Sequence, residues 1–123
     1  MATMTQDFRK LNVWKKAHEL TLEVYRRTKS FPSDERYGLS RQMQRAACSI
    51  GSNLAEGCAR DTDPGFRRFV VIAMGSASEL EYQLLLAHDL GFLDPTSHQP
   101  LNDAVTEIKR MLSSFAQKLI ADS

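Results

Sequence analysis

The stretch RAACSIGSNLAEG, residues 45–57, has small and polar residues where an amphipathic helix would carry charge on its outer side. At about 100° per residue, one stripe of this helix faces a core and contains Leu39, Met43, Ala46, Ile50 and Leu54. The other side carries Gln44, Cys48, Gly51, Ser52 and Ala55, with Arg41 as its charge. Because a glycine inside a helix costs about 1 kcal/mol relative to alanine, we expect another backbone to pack closely against this side. The alternative is a partly exposed face of small residues without a partner.

The helix predicted after this stretch is apolar on two sides. Its core stripe contains Phe66, Phe69, Ala73, Ala77, Leu80 and Leu84. The reverse side carries Val71, Met74, Ser78, Tyr82 and Leu85. Large exposed apolar patches mark interaction sites or aggregation hazards. We therefore predict that this side and the small-residue side of the preceding helix contact other copies of the chain.

The hydrophobic spacing predicts an all-α protein with helices at about 12–29, 37–59, 64–90 and 100–120. Ser33 or Asp34 is expected to cap the second helix, and Asp63 followed by Pro64 to begin the third. Gly91 is the expected C-terminal cap of the third helix. Four helices joined by short loops predict an up-down-up-down antiparallel four-helix bundle, formed by residues 1–123 as a single domain.

The composition is that of an ordinary folded protein. The chain has 123 residues, of which 42% are hydrophobic and 25% are charged. Its N-terminus, MATMTQDFRK, has no signal-peptide apolar region, and the most apolar run, Phe69 to Ala77, is too short to span a bilayer. We expect a cytoplasmic location and no membrane partner.

The sequence carries none of the usual motifs for metal binding or catalysis. Cys48 and Cys58 have no Cys or His at metal-ligand spacing, so we expect buried, reduced thiols. His18 begins an HExxH-like run, but Leu22 occupies the second ligand position. No Glu-x-x-His di-iron motif or glycine-rich phosphate loop is present. We predict no catalytic residues, metal, cofactor or small-molecule substrate, and a non-enzymatic role.

Three polar residues flank the core stripe of the second helix: Ser49, Asn53 and Glu56. We interpret them as a structural network at a helix junction or subunit seam, with Glu56 also placed to pair with Arg60 at i+4. The alternative is a ligand site or an enzyme cleft at a subunit seam.

The basic residues predict an alternative, polyanion-binding role. A strip of seven is the candidate nucleic-acid site: Lys15, Lys16, Arg26, Lys29, Arg36, Arg41 and Arg45. A solvated face balanced by Glu19 and Glu23 is the other interpretation. The net charge of +1 divides unevenly, because residues 1–60 hold 11 Lys and Arg against 6 Asp and Glu, while residues 61–123 hold 5 against 9. Such asymmetry can orient a subunit against its neighbour or attract RNA or DNA.

Four sequence blocks carry a family resemblance: W-x-x-A-x-x-L, F-P-x-x-E-x-Y-G-L, R-A-A-x-S-I-x-S-N-x-A-E-G and A-x-G-S-x-x-E-L-E. From Phe8 to about Leu119 the chain resembles the four-helix bundle proteins first noticed in intervening sequences of bacterial 23S rRNA genes. Family members often have proline at the position of Gly51.

The resemblance implies an up-down-up-down bundle that assembles into a ring of five. It extends to the accessory proteins of diversity-generating retroelements, whose basic pentamer binds nucleic acid and a reverse transcriptase. We therefore predict a homopentameric structural or interaction module, with nucleic-acid binding as a further expectation. The alternative is a nucleic-acid-binding adaptor for a partner enzyme such as a reverse transcriptase.

Overall fold

The computed structural model describes residues 6–122, in which four α-helices and two short 3-10 turns are present and no strand occurs. The helices are α1 (Asn12–Thr28), α2 (Leu39–Cys58), α3 (Asp63–Asp89) and α4 (Pro95–Asp122). Each helix packs against the next one along the chain, and α4 closes the bundle against α1. The predicted up-down-up-down four-helix bundle is confirmed.

The core is formed by one apolar stripe from each helix, because leucines, valines and alanines recur at spacings of three and four. The predicted stripe of α2 is buried at every position, and that of α3 is buried except for a half-buried Phe69. In α4, Phe115 is also half-buried, and its ring meets Phe66 edge to face with centroids 5.0 Å apart. The core residues were therefore largely predictable from periodicity.

The predicted caps of α2 and α3 were wrong. Residues Ser33–Glu35 form a 3-10 turn, and Glu35 Oε2 accepts the Leu39 N–H at 3.0 Å, so α2 begins two residues later than expected. At α3 the N-cap is Thr62, whose Oγ1 accepts the Gly65 N–H at 3.2 Å. At the start of α2 the longer side chain of Glu35 reaches a free helix N–H group, and at the start of α3 the side chain of Thr62, one residue before Asp63, does so. Gly91 does end α3 as expected, with φ of +83°.

Helix α4 begins a full turn before the predicted start at about residue 100. Asp94 Oδ1 accepts the Ser97 N–H at 2.8 Å, and Pro95 occupies the first helical position, where its missing N–H costs nothing. Pro100 lies inside the helix. Pro100 was expected to mark the start of α4. The helix starts earlier because Asp94 caps it and Pro95 follows as its first residue.

Polar side chains fix the orientation of neighbouring helices. Lys109 Nζ of α4 lies 2.8 Å from Glu81 Oε1 of α3, and Lys16 Nζ of α1 lies 3.2 Å from Glu107 Oε1 of α4. Between α1 and α2, the Thr21 hydroxyl donates to the Ala47 carbonyl at 3.1 Å. These contacts establish which side of each helix faces a neighbour and which side faces outward.

Candidate interaction surfaces

The outward side of α3 carries exposed apolar side chains. Exposed fractions are 42% for Val71, 61% for Tyr82 and 48% for Leu85. We call this surface the α3 face, formed by Val71, Met74, Ser78, Tyr82 and Leu85. Ile72 is also exposed, at 43%, but it lies about 100° further around the helix, on the side where Ser76 contacts α2. The structure therefore places the predicted reverse side of α3 on the surface of the chain, apart from a half-buried Met74.

The two apolar sides make α3 the one described helix that is long and apolar enough to cross a membrane by length and composition. One of these sides is already covered, because α2 and α4 pack against it along the bundle core. The helix also carries Arg67, Arg68, Glu79 and Glu81. The hydropathy of α3 thus follows from a core side and an exposed side on one helix.

The small-residue side of α2 borders a groove between α1 and α2. We call it the Trp14 groove; it has a volume of about 240 Å³ and is lined by Phe8, Trp14, His18, Thr21, Cys48, Gly51, Ser52 and Ala55. Its aromatic wall is ordered by ring contacts: Trp14 stacks on His18 with centroids 4.9 Å apart and meets Phe8 edge to face. All four predicted interface residues of α2 therefore line one apolar concavity.

Gly51 is explained within the chain. A Cβ atom at this position would lie 3.3 Å from Nε1 of Trp14 and 3.7 Å from its Cδ1. The close neighbour is therefore an indole edge of the same chain, where the sequence had indicated the backbone of another. On the α2 side of the groove, Cys48 and Ser52 are the exposed residues.

The two cysteines differ in environment. Cys58 is buried, and burial, assisted by the charge of Asp7, raises the pKa of its thiol to about 11. Cys48 is exposed, so the prediction that both thiols are buried was wrong for it in the isolated chain. Its Sγ lies 3.8 Å from the Ser52 hydroxyl, inside the Trp14 groove. The sequence pattern could not distinguish the two, because both lie on a helix rich in small residues.

The polar network of α2 is a seam between helices. Ser49 Oγ lies 2.8 Å from Ser76 Oγ of α3, and Asn53 Nδ2 donates to the Ser49 carbonyl at 2.8 Å and to its hydroxyl at 3.0 Å. Glu56 lies outside this network, on the exposed side of the helix. The predicted Glu56–Arg60 pair is absent among the described contacts; the Arg60 guanidinium instead lies 4.6 Å from the Phe69 ring centroid. A cation–π contact of Arg60 with Phe69 contributes a free energy similar to that of the predicted ion pair with Glu56, so the two arrangements compete.

The structure divides the predicted basic strip into separate groups. Lys16 is paired with Glu107 on the α4 side of α1, and Arg26 is paired with Glu23. Lys15 is exposed on α1, outside the residues that line the clefts. The remaining four, Lys29, Arg36, Arg41 and Arg45, line one open cleft.

We call this cleft the basic cleft. It lies between the end of α1, the following loop and the start of α2, and has a volume of about 820 Å³. None of the described residues that line it is acidic. Two exposed aromatics, Tyr25 and Tyr37, stand among the cations, and the Arg36 guanidinium lies 5.8 Å from the Tyr37 ring centroid. Periodicity could not reveal this grouping, since the loop geometry brings Arg36 and Tyr37 to the helices.

A histidine pair lies at the turn between α3 and α4. The His88 and His98 rings stack with centroids 4.6 Å apart, and His88 Nδ1 donates to the Leu93 carbonyl at 2.9 Å. Nε2 of His98 is buried without a hydrogen-bond partner in the described chain. Burial, and secondarily repulsion from His88, lowers the pKa of His98, while Asp89 opposes the shift. Nothing in the sequence indicated that these two rings meet.

Within residues 6–122, no group of three or more His, Cys, Asp or Glu side chains is arranged to hold a metal ion. The histidine pair and Cys48 also lie on different parts of the bundle, since one is at the α3–α4 turn and the other is in the Trp14 groove. The exposed features of the described chain are an apolar helix face, an aromatic groove and a cationic cleft.

The helix order and packing place this protein in the class of antiparallel four-helix bundle proteins. The family model described as 23S rRNA-intervening sequence protein matches residues 9–114. The chain belongs to that family, as the sequence blocks indicated.

One similar solved structure is described as a protein with unknown function from the S23 ribosomal protein family of Bacteroides thetaiotaomicron. It is 25% identical to this chain, the alignment covers 85% of this chain and 97% of that one, and the TM-score is 0.76. No curated protein matches the chain.

Proposed function

We propose that this protein is a non-enzymatic, cytoplasmic subunit that acts by self-association, forming a homo-oligomer that serves as a structural or interaction module. Five copies is the number that the family resemblance implies. The observation that carries the proposal is the α3 face, where Val71, Tyr82 and Leu85 present apolar side chains to solvent in the isolated chain. Burial of apolar surface yields about 25 cal/mol per Å², so covering such a face by another copy is favourable.

Native mass spectrometry tests the proposal directly. We expect a mass near five times 13.9 kDa for the purified protein. A Leu85→Lys variant should dissociate, because a lysine ammonium cannot be buried unpaired in an apolar interface. Leu22→Lys is the matched control, since Leu22 is 41% exposed on the outer side of α1. A 13.9 kDa wild-type species at micromolar concentration would overturn self-association.

A second candidate function is binding of single-stranded nucleic acid in the basic cleft. It is favoured by one observation: Lys29, Arg36, Arg41 and Arg45 line a cleft that also exposes Tyr25 and Tyr37. Cationic grooves with aromatic side chains bind single strands, because phosphates meet the cations and bases stack on the rings. A symmetric assembly would repeat the cleft in every subunit. An adaptor role for a partner enzyme would use the same site.

Fluorescence anisotropy with a labelled oligothymidylate tests this candidate. Four phosphate contacts predict a log-log salt slope of about −2.8 on a single strand. Arg41→Glu with Arg45→Glu should abolish binding, whereas Lys15→Glu with Arg26→Glu should preserve most of it, because those two residues lie outside the cleft. Equal loss in both double variants would show unspecific attraction and exclude the cleft as the site.

A further inference from the structure

We infer that the α3 face of one copy docks in the Trp14 groove of a second copy, in a head-to-tail contact. The inference rests on the proposed self-association and specifies the two surfaces that meet. The occupant of the groove is thus another molecule of this same chain.

The α3 face and the Trp14 groove lie on different sides of the bundle. The groove lies between α1 and α2. On α3, Ser76 contacts α2 and Glu81 contacts α4, so Tyr82, one residue after Glu81, points away from both the core and α2. A contact between two α3 faces would leave both grooves open, whereas a head-to-tail contact covers a face and a groove at every interface.

The two surfaces are complementary in shape. The α2 side of the groove has short side chains, those of Cys48, Ser52 and Ala55, whereas Trp14 and His18 form a stacked ring wall on the α1 side. The α3 face offers large side chains in return, since Tyr82 and Leu85 have the greatest exposed fractions along it, 61% and 48%. Large side chains of one partner seated among small ones of the other give the close packing that stable interfaces show.

The charges are complementary as well. The part of the chain that builds α1 and α2 has 11 basic and 6 acidic residues, whereas the part that builds α3 and α4 has 5 and 9. Head-to-tail docking sets the basic half of one copy against the acidic half of the next. Pairing two basic halves or two acidic halves would bring charges of the same sign together. That repulsion raises the free energy of the complex and slows the association of the two copies. Head-to-tail contacts repeat around an axis and close into a ring when the rotation permits.

Cysteine cross-linking distinguishes the two arrangements. Cys48 is an exposed native thiol in the groove, and Ser78 is an exposed small residue within the α3 face. In Ser78→Cys protein, a short bis-maleimide should join Cys48 of one copy to residue 78 of the next and give a ladder of covalent oligomers on a denaturing gel. Ser114→Cys is the matched control, because Ser114 is exposed on α4 beside Glu107, on the side toward α1.

The expected result is a ladder with Ser78→Cys, none with Ser114→Cys and no dimer through Cys48 alone in the wild type. A wild-type dimer joined at Cys48 would show a symmetric groove-to-groove contact and overturn the inference. An oligomer of intact native mass without a Ser78→Cys ladder would also overturn it, while leaving self-association standing. A monomeric native mass would overturn both proposals.

Discussion

A Cβ atom on Gly57 of α2 would lie 2.7 Å from Cδ1 of Phe66 on α3 and 3.0 Å from its Cε1. Phe66 is fully buried and also contacts Phe115, so its ring has no free direction in which to move. The two helices approach each other at this level because residue 57 has no side chain. The final glycine of the RAACSIGSNLAEG stretch therefore leaves the space that the Phe66 ring occupies between α2 and α3.

Gly57→Ala should lower the free energy of unfolding by about 1–3 kcal/mol, the usual cost of overpacking a core. Gly75→Ala is the matched control, because a Cβ there would meet nothing within 4 Å. The control should gain about 0.5–1 kcal/mol from helix propensity. Urea denaturation at equal protein concentration measures both. A Gly57→Ala protein as stable as the wild type would contradict the packing described above.

The two thiols should react at very different rates. At pH 8, in protein diluted until the Trp14 groove is uncovered, we expect Cys48 to react readily with a chromogenic disulfide reagent. We expect Cys58 to stay unreactive, because burial raises the Cys58 pKa to about 11. Cys48→Ser should remove the fast phase. If a second copy covers the groove, the fast phase should slow as protein concentration rises. Rapid modification of Cys58 in native protein would be inconsistent with its burial.

Acid should weaken the α3–α4 turn. The pKa of His98 is lowered in the folded chain, so between its ordinary value of about 6.5 and that lower value the unfolded chain binds a proton that the folded chain does not. Stability from this group is thus complete above pH 6.5 and decreases as pH falls. The melting temperature should drop less on acidification in His98→Gln than in the wild type.

The control for that experiment is Gln99→Ala, which changes an exposed side chain next to His98 and leaves both imidazoles in place. Its melting temperature should follow the wild-type pH dependence. If His98→Gln and the wild type lose the same number of degrees between pH 7.5 and pH 5.5, the buried Nε2 atom of His98 does not govern acid sensitivity.

Filling the Trp14 groove should block assembly. Ser52→Trp places a large ring in the concavity while leaving the α2 core stripe unchanged. We expect a monomer with wild-type helical circular dichroism, measured with light scattering after gel filtration. Ser114→Trp should assemble normally. Gly51→Leu would be a poorer test, since its side chain would strike Trp14 within the same chain.

The sequence predicted the helices and the core because both depend on a local period of 3.6 residues. Leu39, Ile50 and Leu54 are buried where their spacing placed them. The caps failed because a cap depends on which of several adjacent polar side chains reaches the free N–H groups. Thr62 does so in place of Asp63, and Glu35 in place of Ser33.

The surfaces were predicted only in part, since their shape depends on contacts between distant segments. The residues of the α3 face share one helix, so their spacing was sufficient to find them. The Trp14 groove needs α1 and α2 side by side, which brings Trp14 against Gly51. The His88–His98 stack and the basic cleft depend on turns whose path no local pattern specifies.

The apolar sides of α3 have a consequence during synthesis. Residues 63–89 leave the ribosome before α4, which supplies part of the cover for their core side. Until α4 is made, α3 exposes apolar side chains on its core side as well as on its outer side. Transiently exposed apolar surface makes a folding chain prone to aggregation.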